Sequence, residues 1–360
     1  MRGIEAIPAT MLVARTYGWG DVRVEEQPVP RPGPGEVLVR IEASGVCGSD
    51  ALAWYVARKA PAVLGHEPAG TVVAVGPEVR TPRLGERVFV HHHAPCRRCA
   101  ECRRGNWPAC ATWREPGLTP GGFAQYALAS RTAVRHDTLT LPAEIDLEVA
   151  SFIEPLACCV RALHRHGRLT AGDSVHIVGL GAMGLLLVQL TRASGAALVT
   201  GSDFFAERRL LARELGAHIA WDPAAAAVDE MLKAESGGRG ADVVIVCPGD
   251  PAAMQAGLAC AAAGARVVLF TPMPPDQRLV VDQSTFYFRE VTIANSYSSG
   301  PEETRDALTL LADGLVRTQA IVTHRCDLAG VAQAIARAGS KGEGIKTIVY
   351  PHGVRQVVQR

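Results

Sequence analysis

The sequence predicts an α/β chain in two parts: a barrel or sandwich of short strands, then a parallel sheet covered by helices on both faces. Three observations predict it. At 360 residues the chain is too long for one ordinary core and calls for two. The first 150 residues are rich in Gly and Pro and carry short β-type runs bounded by turn residues, a spacing typical of all-β architecture. After Glu154 short Val/Ile-rich runs alternate with Ala/Leu/Arg-rich helical stretches, which is the rhythm of a βαβ sheet.

In order, the β-type runs are VLVRIEA at 37–43, GTVVAVG at 70–76 and ERVFV at 86–90. The second part opens with SVHIVGLG and an apolar helix from about Ala182 to Ser194, then ALVTGSD and a helix to about Leu215. HIAWD, ADVVIVC and ARVVLF follow, with helical segments before the last two. Beyond about Asn295 come a helix from roughly Glu302 to Gly314, the run IVTHR, another helix and the strand KTIVY. The Ala cluster at 224–227 reads as a loop or helix start, and the opening ten residues read as an extension, since patterned sequence begins near Met11.

Composition excludes several classes. Apolar residues make up 48 % and charged residues 20 % of the chain, both ordinary for a globular protein. A net charge of +1 offers no cationic surface for nucleic acid, whose recognition needs clustered Lys and Arg facing phosphates. No run approaches the roughly 18 apolar residues that span a bilayer, and the start lacks an export signal, so a cytoplasmic location is expected. Ten cysteines in a chain this long suit metal or redox chemistry in a reducing compartment better than a disulfide framework. Cys158, Cys159, Cys247, Cys260 and Cys326 sit in apolar surroundings and read as small core residues.

Gly179-Leu180-Gly181-Ala182-Met183-Gly184 is a GxGxxG placed after a strand-like run and before a helix. Its glycines suit a tight turn, close backbone approach to a pyrophosphate, and close helix–strand packing. The helix start at Ala182 and Met183 offers N–H groups and partial positive charge to phosphates. Asp203 ends the next strand-like run, where a carboxylate accepts the ribose hydroxyls of NAD and repels the 2′-phosphate of NADP. Arg208 could stack on the adenine of either cofactor. The expected cofactor is NAD.

Cys96, Cys99, Cys102 and Cys110 form CxxCxxCx7C. Four thiolates at these spacings close a tetrahedral shell around Zn²⁺ with no open position, as a structural site does. An iron–sulfur cluster also takes four thiolates; the rest of the sequence favours zinc. Arg97, Arg98, Arg103 and Arg104 lie between the ligands and could offset the thiolate charge. The triplet His91-His92-His93 just upstream reads as a polar strand end. Elsewhere Cys47 in GVCGSD, His66 and Glu67 in GHEPAG, and Glu154 in IEPLA supply a thiolate, an imidazole and carboxylates. A catalytic zinc takes three protein ligands of these kinds and leaves a position for substrate.

With these motifs in place, the chain resembles the zinc-containing medium-chain dehydrogenase/reductase family from Met11 onward, and within it the polyol (sorbitol) and threonine dehydrogenase branch. GHE followed by Gly70 and Gly76, the four-cysteine lobe and GLGAMG carry the resemblance, together with Glu154-Pro155, FYFRE at 286–290 and VTHR at 322–325. It implies a GroES-like β-barrel catalytic domain over 1–155 and 296–360, with a structural zinc lobe at about 91–115. The Rossmann dinucleotide-binding domain, a doubly wound parallel sheet, would span 156–295.

The resemblance further implies that Cys47 and His66 bind the catalytic zinc and that Glu67 and Glu154 complete the shell, directly or through water. Asp50 would orient His66, and Ser49 would take the alcohol proton. Many relatives have a His five residues after the cysteine to end the proton relay; here the position is Leu52. Sorbitol-type members carry an Arg-Tyr pair where ANSYSSG places Ser298 and Ser299, and Trp54, Tyr55 and Phe123 are candidate pocket walls.

The expected activity is therefore hydride transfer from a secondary alcohol (a polyol, sugar alcohol, cyclitol or β-hydroxy amino acid) to NAD. Two zinc ions per chain and a homo-oligomer, dimer or tetramer, are expected. The alternatives are an NADP-dependent aldehyde or ketone reductase of the same fold and a non-catalytic dinucleotide-binding zinc scaffold. Asp203 speaks against the first, and an open metal site against the second.

Overall fold

In a computed structural model that describes residues 6–340 and 342–354, the alternation after Glu154 forms one parallel six-stranded sheet. Its order is Ile219–Trp221, Leu198–Ser202, Ser174–Val178, Ala241–Val246, Ala261–Leu269, Thr292–Asn295. Numbered along the chain this is 3-2-1-4-5-6, the doubly wound order whose reversal beside the first strand creates a ligand crevice. Strands buried on both faces need near-continuous apolar side chains, and Ala241–Val246 supplies them. His176 interrupts the first strand, yet it is fully buried because Thr200 Oγ1 (2.9 Å) and Ser202 Oγ (3.2 Å) on the next strand meet its two ring nitrogens.

The helix predicted from Ala182 runs Ala182–Ala193 and is buried from Gly184 to Thr191. It can seat so deeply because a Cβ on Gly184 would stand 2.0 Å from the carbonyl oxygen of Gly179. The Ala cluster precedes the helix Val228–Glu235, whose N-cap is Ala227.

The chain divides into two compact units, the sheet just described belonging to Pro155–Ser298 with Asp313–Ala320. The other unit, Met1–Glu154 with Ser299–Ala312 and Ile321–Arg360, holds the β-rich part. Its larger sheet runs Val322–Cys326, Lys346–Val349, Val37–Gly45, Glu67–Val75, Arg87–Val90, Thr138–Thr140, with Tyr126–Ala129 also on Val37–Gly45. A smaller sheet joins Asp21–Pro28, Thr10–Gly18 and Ala62–Val63. Of the expected ten-residue extension, residues 1–5 lie outside the described residues, as do 341 and 355–360 at the end of the chain.

One register detail positions the chemistry. Gly45 is the pairing partner of both Glu67 and Ile348. The strand that delivers Cys47 therefore ends between the strands that begin at Glu67 and Lys346.

Candidate active site and metal centres

Cys47 caps the short 3₁₀ turn Gly48–Ala51 in a reciprocal box: its sulfur accepts the Ser49 N–H (3.5 Å), and its own N–H donates to Asp50 Oδ2 (3.0 Å). The turn thus fixes both Cys47 and the buried Asp50 carboxyl. The other Asp50 oxygen lies 3.6 Å from His66 Nδ1, the carboxylate–imidazole arrangement that orients a metal-binding histidine. Burial raises the Asp50 pKa. Burial also opposes charge on His66, but Asp50, Cys47 and Glu154 outweigh it and raise the imidazole well above its ordinary value.

Glu67 is fully buried and forms an ion pair with Lys346 at 2.5 Å. Gly45 makes room for it, since a Cβ there would lie 1.8 Å from the Glu67 Oε2. The Lys346 ammonium meets Glu67 Oε2, while Oε1 is buried with no hydrogen-bond partner among the described residues, a condition that costs free energy unless a further cation is nearby. The donor atoms of Cys47, His66 and Glu67 lie within 4.8 Å of one another. One thiolate, one imidazole and one carboxylate suit Zn²⁺ with a position left open.

Glu154, in the first turn of the helix Ile153–Val160, groups with His91 and His92, again within 4.8 Å. Its pKa is raised by burial, and its charge reaches His66. The histidine triplet is not the polar strand end the sequence suggested. His91 is fully buried and bonded to Asp137, His92 packs 5.0 Å from the His66 ring, and His93 stacks on Trp113 at 3.8 Å. Sequence reasoning also missed Lys346, which looked like the first residue of an ordinary strand. Its only signal was an ammonium group at the head of the apolar run TIV.

The four sulfurs of Cys96, Cys99, Cys102 and Cys110 also converge within 4.8 Å. The Arg98 backbone N–H lowers Cys96 to about 6, while burial pushes Cys102 up to about 12. Thiols forced this close differ in how readily they ionise, and a divalent cation at their centre suits all four as thiolates. The lobe is pinned by Trp107 and Trp113, whose indole N–H groups donate to Glu303 Oε2 (3.1 Å) and the Ser299 carbonyl (3.3 Å). Arg97 reaches Glu302, Arg103 the Arg98 carbonyl and Arg104 the Glu101 carboxylate. Of the five cysteines expected in the core, Cys159 and Cys260 are buried and the other three half-buried.

In the second unit, Asp203 organises the glycine loop. It accepts the Leu180 N–H at 2.8 Å and the Phe205 N–H at 2.9 Å. Gly181 caps the following helix without a side chain, leaving its first N–H groups for an anion. Arg208 stacks on Phe205 at 4.8 Å, with its guanidinium 3.9 Å from Asp203. Arg209 donates to the carbonyls of Asp203 and Phe204 and pairs with Asp222. Among the expected pocket walls, Trp54 and Tyr55 are half-buried and meet edge-on at 5.8 Å, whereas Phe123 is wholly in the core.

Residues 33–138 match the alcohol dehydrogenase GroES-like domain, and residues 182–313 match the zinc-binding dehydrogenase domain. Sorbitol dehydrogenase of Bacillus subtilis is 31 % identical over 96 % of this chain and 99 % of its own. The chain belongs to the zinc-binding alcohol dehydrogenase family. Within this family it falls in the sorbitol and threonine dehydrogenase branch, as the sequence indicated. L-threonine 3-dehydrogenase of Pyrococcus abyssi is 33 % identical, with 94 % and 98 % of the two chains covered. A candidate zinc-binding dehydrogenase of Sinorhizobium meliloti, solved with NADP, is 32 % identical with a TM-score of 0.87, over 96 % of this chain and 100 % of that one. This zinc-binding dehydrogenase has, among its described residues, no helix long and apolar enough to cross a membrane.

Proposed function

We propose that the protein oxidises a secondary alcohol of a small polyhydroxylated compound or β-hydroxy amino acid, with NAD as hydride acceptor. The observation that carries this reading is the Cys47/His66/Glu67 donor cluster, in which one oxygen of the buried Glu67 carboxylate has no hydrogen-bond partner among the described residues. A zinc ion bound there supplies Lewis acidity, lowering the pKa of an alcohol placed at its open position. We assign Cys47, His66 and Glu67 to that ion with Glu154 beside them, and Cys96, Cys99, Cys102 and Cys110 to a structural zinc.

The chain's own residues then have distinct tasks. Asp50 holds the His66 ring in the orientation a ligand needs. Lys346 balances the Glu67 charge and keeps that carboxylate in place. Ser49 receives the alcohol proton, which must leave by a path other than residue 52, because Leu52 cannot carry it. Gly179, Gly181, Ala182, Met183 and Gly184 receive the pyrophosphate, and Asp203 accepts the ribose hydroxyls. Its two oxygens have lone pairs beyond those used by Leu180 and Phe205. Arg208 lies against the adenine.

We assign the catalytic domain to 1–155 and 296–360 and the dinucleotide domain to 156–295. A reducing, cytoplasmic setting suits ten cysteines that form no disulfide and of which five are assigned to zinc. A homo-oligomer is supported by exposed Tyr287 (67 %) and Phe288 (83 %), which line one groove with Ile293 of the sheet-edge strand Thr292–Asn295. The runner-up, use of NADP, rests on Arg208 beside Asp203 and on the NADP in the Sinorhizobium meliloti relative. A screen of sugar alcohols, cyclitols, diols and threonine, each with NAD and NADP, tests both. Faster reduction of NAD by one of these classes is expected. Reduction of neither cofactor by any of them, with zinc bound, would refute the assignment.

A further inference from the structure

We propose that His91, His92 and Glu154 form a further divalent-cation site, beside the Cys47/His66/Glu67 set and distinct from it. Their donor atoms lie within 4.8 Å of one another. Zinc–ligand bonds of about 2.0–2.2 Å place tetrahedral donors roughly 3.3–3.6 Å apart, so small side-chain rotations close the set.

His91 is prepared for this role. Its Nδ1 lies 2.7 Å from Asp137 Oδ2, and the other Asp137 oxygen accepts the Thr304 hydroxyl at 2.6 Å. All three residues are almost wholly buried. The Asp137 carboxylate fixes the tautomer that leaves Nε2 with its lone pair available, as carboxylates behind metal-binding histidines do. That Nε2 is buried with no hydrogen-bond partner among the described residues, and so is Nδ1 of His92. Burying such atoms costs free energy that ligation would recover. Glu154 contributes the negative charge.

The ligands are nitrogen and oxygen only, and this provides the test. Cobalt(II) is titrated into the dialysed zinc-loaded holoenzyme while its visible and near-ultraviolet absorption and released zinc are followed. We expect one equivalent of cobalt to be retained with d–d bands, without thiolate-to-cobalt charge transfer and without zinc release. His91→Asn and His92→Asn should each abolish this binding, and Asp137→Asn should weaken it about 10- to 100-fold. The second histidine variant carries the test should the buried His91 replacement fail to fold. No retained cobalt, cobalt that displaces zinc and shows a thiolate band, or binding undiminished in the folded histidine variants would overturn the proposal. The zinc content before titration tests the proposed function separately.

Discussion

Replacing Lys346 with Met removes the ammonium group and leaves the Glu67 carboxylate buried and unpaired. The pair is 2.5 Å long and its side chains are 3 % and 0 % exposed. At an effective dielectric constant of about 20 their attraction is on the order of 7 kcal/mol. Part of that offsets desolvation, so the expected loss is the roughly 3–5 kcal/mol typical of breaking a buried pair from one side. Denaturant unfolding of zinc-free protein, in which no cation replaces the ammonium group beside Glu67, measures it by circular dichroism. The double variant Lys346→Met/Glu67→Gln should recover most of the loss, because no buried charge is then stranded. A single variant within about 1 kcal/mol of the parent, or a double variant no better than the single, would show that the pair does not balance charge as described.

Four further outcomes are expected. Dialysed protein should contain about two zinc ions per chain by metal analysis, and one or none would contradict the two ligand sets. Cys47→Ser should abolish turnover with an unchanged melting temperature while Cys99→Ser lowers the melting temperature; identical behaviour would erase the distinction between the two centres. Burial depresses His176 to about 4, against about 6.5 in an unfolded chain. Its depressed folded value makes stability full above about pH 6.5 and lost on acidification towards pH 4, by about 3 kcal/mol, and a His176→Asn variant with the same slope would rule this out. Asp203→Asn should lower kcat/KM for NAD about 10- to 100-fold and for NADP much less, so an equal loss with both cofactors would count against a ribose contact.

The Rossmann part was legible in the sequence almost element by element, because a parallel sheet buried on both faces writes itself as apolar runs separated by helical stretches. Ser174–Val178, Ala182–Ala193 and Ala241–Val246 fall where those runs stand. The four cysteines were legible too, since their ligand spacing is local. What escaped were partners brought together by strand register. Nothing near Lys346 announces Glu67, which lies hundreds of residues earlier in the chain and meets it only because both strands flank Gly45. His91 reads as one of three polar residues after a strand until Asp137, 46 positions on, is placed behind it. Long-range electrostatic partnerships have no periodicity, so a single sequence does not display them.

Asp203 ties the glycine loop to the next helix through Leu180 and Phe205, and this constrains how the enzyme could be re-engineered. The bends proposed to receive the dinucleotide are held by the protein's own hydrogen bonds, so on that reading little ordering entropy is charged to binding. On the proposed assignment the same residue is both strut and reader. Exchanging it to admit a phosphorylated ribose would slacken the loop while it altered recognition. A workable route to NADP keeps an acceptor at position 203 and adds cations around it.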